Sequence, residues 1–174
     1  MNYASIKACD VANGIGVRVS LFVSGCRHHC EGCFNSEAWD FNYGNPFTEK
    51  QVQEILNNLD HDYISGLTLL GGEPLEKENQ PEVLALLKRV REQFPDKTIW
   101  CYTGFHYEDE VVPMMASSEI TRELLGLVDV LVEGRFVLSL KQLGLRFRGS
   151  SNQRVLDLKE TLKSGNPVIL AGME

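Results

Sequence analysis

Val17-Arg-Val-Ser-Leu-Phe-Val-Ser-Gly-Cys26-Arg-His-His-Cys30-Glu-Gly-Cys33-Phe-Asn35 is the stretch on which the reading turns. Val17 to Val23 alternate and then become continuously apolar, as a strand entering a buried sheet does. Directly after that strand, Cys26, Cys30 and Cys33 stand in a C-x3-C-x2-C spacing, with an aromatic ring, Phe34, after the last thiol. A loop this tight cannot bury three side chains in one apolar direction, so the thiols are expected to share a metal.

The number of ligands bears on which metal. A structural zinc site takes four protein ligands, commonly as two separated pairs, and no second cysteine pair follows in this chain. His28, His29 and the distant His106 are the remaining candidates for a fourth ligand. Adjacent His28 and His29 cannot both turn back onto one metal, and they are expected to be exposed loop residues. A four-iron cubane held wholly by protein takes four cysteines. Three thiolates leave one iron without a protein ligand, and an open metal position is where a small molecule coordinates.

Outward from this loop the chain alternates short apolar strands with amphipathic helices. Thr48 with Gln51 forms a capping box, and Val52, Ile55, Leu56 and Leu59 fall on one helical face. Leu67–Leu70 reads as a strand stopped by Gly71-Gly72-Glu73-Pro74. A second helix begins near Pro81, a residue suited to a first helical turn, with a stripe of Val83, Leu84, Leu87, Val90 and Phe94. Thr98–Tyr102 is a third strand, ending at Thr103-Gly104. Residues 107–126 are expected to be helical in pieces interrupted by Pro113, with Ile120, Leu124 and Leu125 inward. Val128–Val132 is a fourth strand, ending at Glu133-Gly134-Arg135. Arg148-Gly-Ser-Ser-Asn-Gln153 is loop chemistry, Val168–Leu170 is a candidate short strand, and the residues before Gly14 read as a polar opening.

This alternation predicts an α/β fold with parallel strands, and helices packed outside. A complete eight-fold barrel needs at least about 200 residues. At 174 residues the expectation is therefore an open, partial (β/α) barrel of about five or six strands, with a doubly wound sheet as the alternative. No internal repeat or linker divides the chain, so 1–174 is expected to be a single domain. Four polar or glycine-rich segments each follow a strand directly. In a parallel architecture, strand-end loops line the ligand face. The Gly-Gly turn on its own needs no ligand. Beside the cysteine loop, Gly71, Gly72 and Glu73 offer a backbone edge and an acceptor for a cationic group.

The net charge of −7 argues against nucleic acid or an anionic membrane as partner. Residues 135–163 nonetheless carry seven basic side chains against two acidic ones, either a docking segment or a solvated face. No signal peptide or membrane-length apolar run is evident, so a cytoplasmic, reducing compartment is expected, where five cysteines read as metal or redox chemistry. Cys101, inside an apolar run, is expected to be a buried small hydrophobe; Cys9 has no assigned part.

The cysteine triad followed by Phe34, with Gly71-Gly72-Glu73-Pro74 after the next strand, resembles the radical S-adenosylmethionine superfamily. The resemblance implies a [4Fe-4S] cluster on Cys26, Cys30 and Cys33, with S-adenosylmethionine chelating the fourth iron. It further implies that Gly72 and Glu73 hold the methionyl ammonium, and that Gly32 and Phe34 lie against the adenosyl end. Val17–Cys33, Ile99–Gly104, Val130–Val137 and Arg148–Gln153 narrow the resemblance to the activating proteins of anaerobic, class III ribonucleotide reductases. It covers about residues 1–156 and leaves the tail unassigned. The narrower resemblance implies reductive cleavage of S-adenosylmethionine to a 5′-deoxyadenosyl radical, which generates a glycyl radical on the large reductase subunit, with a flavodoxin-type reductant. Activases of pyruvate formate-lyase and related enzymes share the triad but lack the Arg148–Gln153 pattern. A single-cluster electron carrier and a zinc-stabilised binding module are the rivals from other classes.

Overall fold

The structure, a computed structural model, describes residues 1–174. Strand β1 (Asn2–Asp10) runs into β2 (Val17–Val23), and a two-residue β3 (Asn45–Pro46) precedes helix α1 (Glu49–Leu59). Then come β4 (Ile64–Gly71), α2 (Gln80–Gln93), β5 (Thr98–Tyr102), α3 (Val112–Ser117), α4 (Glu119–Gly126), β6 (Val130–Glu133), β7 (Arg154–Asp157) and α5 (Leu158–Ser164). All seven strands join one sheet in the order β3-β1-β2-β4-β5-β6-β7. No helix is long and apolar enough to cross a membrane.

The central pairs β2·β4, β4·β5 and β5·β6 are parallel, as the alternation predicts. The flanks depart from that expectation: β1 is antiparallel to β2 and to β3, and β7 is antiparallel to β6. The reason at the first edge is loop length. Residues 11–16 are too few for a crossover, so the chain folds back as a hairpin. The fold is thus α/β with a mixed, mostly parallel sheet.

Because β2, β4, β5 and β6 lie in chain order, each crossover steps the same way, and right-handed crossovers then put every helix on one face. Side-chain alternation sorts the core accordingly. Val19, Leu21, Leu67, Leu69, Ile99, Cys101 and Leu131 pack with Ile55, Leu59, Val83, Leu87, Leu124 and Leu125 of the helices in one cluster. The other face carries Arg18, Ser20, Thr68 and Trp100, all buried. Towards the strand ends it carries Phe22, Leu70 and Tyr102, which line a cavity. Arg18 is fully buried on this face: its guanidinium donates to Thr68 Oγ1, Thr98 Oγ1 and the carbonyls of Ile15, Leu67 and Thr98. Its ring neighbour is Trp100, 5.5 Å away. Burial lowers its pKa to about 10, so it stays charged at neutral pH.

The local signals hold in detail. The Gln51 side chain accepts from the Thr48 N–H at 2.9 Å and hydroxyl at 2.6 Å, and Pro81 sits in the first turn of α2. Cys101 is fully buried. Several expectations are corrected. Residues 2–10 form a strand rather than a polar opening. Ile120 is 41% exposed, and Thr121 takes the inward position, its hydroxyl donating to Gln80. Pro113 opens α3 instead of interrupting a helix. The fourth parallel strand begins at Val130, because Val128 still closes α4 by donating to Leu125 O. The tail gains a place: Ile169 bridges Leu156 of β7, and Met173 is buried with Trp100, Val130, Val132 and Val155.

Candidate functional site

β2 delivers the cysteine loop to the strand-end face. Gly25 N donates to Ala38 O at 2.7 Å and Cys26 N to Trp39 O at 3.1 Å, so a later turn holds the loop's base. His29 takes a left-handed φ of 52°, a conformation worth about 1 kcal/mol or more of strain in a non-glycine residue. Its ring stacks on Trp39 with centroids 4.5 Å apart. That reversal sends the chain back so that Cys30 joins Cys26 and Cys33 on the wall of one cavity of about 510 Å³.

Asn35 N donates to Cys33 Sγ at 3.4 Å. Burial pushes the Cys26 thiol up to about 12, against the His28 N–H, with the Glu73 and Glu76 carboxylates adding to the rise. Burial also raises Cys30, opposed by the Phe136 N–H and the Arg135 charge. These two thiols therefore carry protons when no metal is bound, and metal binding must release them. No three His, Cys, Asp or Glu side chains converge tightly enough for a single ion, as tetrahedral zinc with bonds of about 2.0–2.3 Å requires. Three thiols spread along one wall fit a multi-iron cluster that offers a separate iron to each.

The second strand-end loop is knotted to the first. Gly72 N donates to Val23 O at 2.7 Å and Glu73 N to Gly25 O at 2.8 Å. A side chain at Gly72 would put its Cβ 2.6 Å from Gly25 O, so this glycine is required by the close approach itself. The Glu73 carboxylate, 1% exposed, accepts from Leu75 N (2.9 Å) and Gly104 N (2.8 Å) and pairs with His28 Nε2 (2.8 Å). One carboxylate thus joins the loops after β2, β4 and β5. His28 is correspondingly buried, with 6% of its side chain exposed, against the expectation of an exposed loop residue. A Cβ on Gly104 would lie 2.5 Å from His28 Cδ2.

Asn79 Nδ2 donates to Ser24 O and Glu73 O, both at 3.0 Å. Arg27 donates to Glu76 at 2.6 Å and to Glu78 at 2.6 Å, and its guanidinium lies 4.5 Å from the Phe41 ring centroid. Sequence reasoning missed these braces. The Asn79 and Glu76 partners lie about 50 residues away, and nothing local marks them.

Gly71, Gly72, Glu73 and Phe34 line the cavity with the three cysteines. Gly32 does not; it packs against Leu138. Phe34 is 69% exposed at the rim, under Lys141 Nζ at 5.2 Å. The basic segment divides. Arg135 pairs with Glu110, Arg154 with Glu108 and Glu133, and Lys159 with Asp129, whereas Lys141 and Arg148 line the cavity. Tyr102 Oη and Arg148 Nε, on that same wall, are buried without a hydrogen-bond partner.

A mostly parallel α/β sheet with three thiols on one cavity wall beyond its strand ends defines a single-cluster iron–sulfur protein. In agreement, the family described as a 4Fe-4S single cluster domain matches residues 12–156. The chain is 41% identical over 161 residues to the anaerobic ribonucleoside-triphosphate reductase-activating protein of Escherichia coli (strain K12), covering 91% of this chain and 100% of that one. The protein of the same name from Enterobacteria phage T4 is 43% identical over 155 residues, 89% of this chain and 93% of its own. That from Vibrio cholerae is 39% identical over 155 residues, 88% and 96% respectively. The chain belongs to the family of anaerobic ribonucleoside-triphosphate reductase-activating proteins.

Proposed function

We propose that this chain is an activase that uses a [4Fe-4S] cluster and S-adenosylmethionine to place a glycyl radical on the large subunit of an anaerobic ribonucleotide reductase. The observation that carries the reading is the meeting of Cys26, Cys30 and Cys33 with the Gly71-Gly72-Glu73 turn on one cavity wall, in a chain of this family. When bound, the cluster would supply the one electron for reductive cleavage of S-adenosylmethionine, and the resulting radical chemistry would remove a hydrogen atom from the reductase glycine.

The protein's own residues bind, orient and exclude water. Cys26, Cys30 and Cys33 hold the cluster. Gly71, Gly72 and Glu73 present acceptors to the methionyl ammonium, while His28 and Gly104 keep the Glu73 carboxylate from turning away. Phe34 flanks the adenosyl end, and Gly32 lets the loop close on Leu138. Phe22, Leu70 and Tyr102 form the inner wall that keeps bulk water from the reacting atoms. In this reading the sheet is the open partial barrel of the radical S-adenosylmethionine type, residues 1–174 work as one unit, and a flavodoxin-type protein is the reductant. The glycine-bearing segment of the reductase enters at the rim, where Phe34, Leu138, Leu140 and Leu143 are exposed beside Lys141, Arg146 and Arg148. Charge reversal at Arg146 and Arg148 that leaves the complex intact would count against this docking face.

The test is spectroscopic. Anaerobically reconstituted protein is expected to be brown, and the resonance of its reduced cluster to change on adding S-adenosylmethionine. With reductant and reductase present, a glycyl-radical signal should appear, and Cys30→Ala should abolish it. A colourless protein, or a cluster spectrum indifferent to S-adenosylmethionine, refutes the reading.

A further inference from the structure

Three buried side-chain donors have no hydrogen-bond partner, Trp39 Nε1, Tyr102 Oη and Arg148 Nε, and all three residues line the cavity of the cysteine triad. Buried polar groups are normally paired, so each such exception calls for a reason. Trp39 belongs to the base of the cysteine loop, its ring stacked on His29. Tyr102 and Arg148 share the other side. Tyr102 and Phe147 both pack against Trp100, Val130, Val132, Val155 and Met173, and Phe147 leads directly into Arg148.

Both residues present protons. Arg148 is tethered by Nη1 to Gln153 O at 3.1 Å and pairs with no carboxylate, which leaves its Nε–H uncommitted, and a guanidinium accepts nothing. Burial, with the Asp10 charge adding to it, raises the Tyr102 pKa above its ordinary value and keeps the hydroxyl protonated. Arg148 also belongs to a run, residues 141–149, most of which lines the cavity. The run is fastened at its base, by Gln142 N to Gly149 O (3.3 Å) and by a bridge between Lys141 and Ser150. No hydrogen bond links residues 143–147 to anything outside it, and Leu143 is 94% exposed. A wall held only at its base yields to an entering chain at low cost.

A glycine has no side chain, so a site that selects one must read the main chain around it, where every peptide unit offers a carbonyl. The turn read as holding the cofactor's ammonium, Gly71-Gly72-Glu73, is a separate element. We propose that Tyr102 Oη and Arg148 Nε donate to main-chain carbonyls beside the reactive glycine of the reductase and so select that segment. This rests on the activase reading and deepens it: Arg148 acts through a directed hydrogen bond and not through charge alone. Until the segment arrives, both donors bear the cost of burial without a partner.

The experiment uses the full chain with its cluster reconstituted anaerobically, together with the large reductase subunit. Tyr102→Phe removes the hydroxyl and keeps the ring. Arg148→Lys keeps the charge and puts no donor where Nε stands. Both are expected to load iron and sulfide like the parent, and to give the parental change of the reduced-cluster resonance on titration with S-adenosylmethionine. Both should need roughly 3–10-fold more reductase for half-maximal glycyl-radical formation, the equivalent of one hydrogen bond. Because it deletes an unpaired buried donor, Tyr102→Phe should also melt no lower than the parent. A parental dependence on reductase concentration in either variant overturns the proposal. So does a weakened response to S-adenosylmethionine, which gives the donors to the cofactor, or a lowered melting temperature in Tyr102→Phe, which makes the hydroxyl a structural one. If the parent itself forms no glycyl radical, it is the activase reading that fails, and the proposal with it.

Discussion

Replacing Asn79 tests how the two site loops are held together. Its amide is 1% exposed and donates to Ser24 O and Glu73 O, both at 3.0 Å. Glu73 O keeps a second donor in Glu76 N at 3.1 Å, so Asn79→Ala mainly orphans Ser24 O. A buried acceptor left without its donor costs about 1–3 kcal/mol. With the lost packing, about 2–4 kcal/mol is expected, or roughly 5–15 °C in melting temperature at this chain length. Asn79→Asp is closer in shape but should be worse than Asn79→Ala at neutral pH, because it sets a carboxylate against two carbonyl oxygens. The Asp variant should also regain stability on acidification. Repulsion raises its folded-state pKa above the unfolded value, so the penalty is absent below the unfolded pKa and grows as pH rises through the folded one. The assay is anaerobic urea denaturation of the metal-free protein, read by tryptophan fluorescence at pH 7 and pH 5. An Asp variant as stable as the Ala variant at pH 7 would refute the reasoning.

The same geometry sets three further expectations. Asp129 is held below its ordinary 3.8: burial opposes ionisation, but hydrogen bonds from Lys159, the Ile99 N–H and Arg91 outweigh it. Its contribution is present above the unfolded pKa and lost as pH falls through the lower folded value, so melting temperature should drop below about pH 4, and Asp129→Asn should flatten that acid limb; an unchanged limb would exclude this carboxylate as its source. Gly104→Ala should displace His28 from Glu73 and cost about 1–3 kcal/mol in the same urea titration, with a parental curve as the contrary result. Arg18→Met leaves the Leu67 and Thr98 carbonyls without the guanidinium and should cost about 3 kcal/mol or more, whereas a thermal melt within about 0.5 kcal/mol of the parent would show that this face of the sheet repacks.

The parallel centre of the fold was legible because each strand there is buried on both faces and so reads as an apolar run. β1 escaped because most of its residues are half-buried or exposed, which leaves a polar-looking sequence at a sheet flank. β7 is only four residues long and follows a loop whose glycines and amides mask it. At the site, spacing alone brought out Cys26, Cys30 and Cys33, and strand-end position brought out Gly72 and Glu73. His28, Asn79 and Gln153 were not legible. Their partners, Glu73, Ser24 and Gly134, are 45, 55 and 19 residues away, and single polar residues in loops announce no long-range bond.

Met173, buried against Trp100, Val130, Val132 and Val155, sets a schedule for biosynthesis. A chain emerges from its N-terminus, and early parts fold first where they can. Here the thiols at 26–33 are made well before the opposite wall of their cavity, Gly134 to Gln153, and before the methionine that covers the inner face of β5, β6 and β7. A growing polypeptide therefore displays its three cysteines without the pocket that confines them. The pocket comes into being only once Gln153 has been added, and that face of the sheet stays bare until Met173 follows.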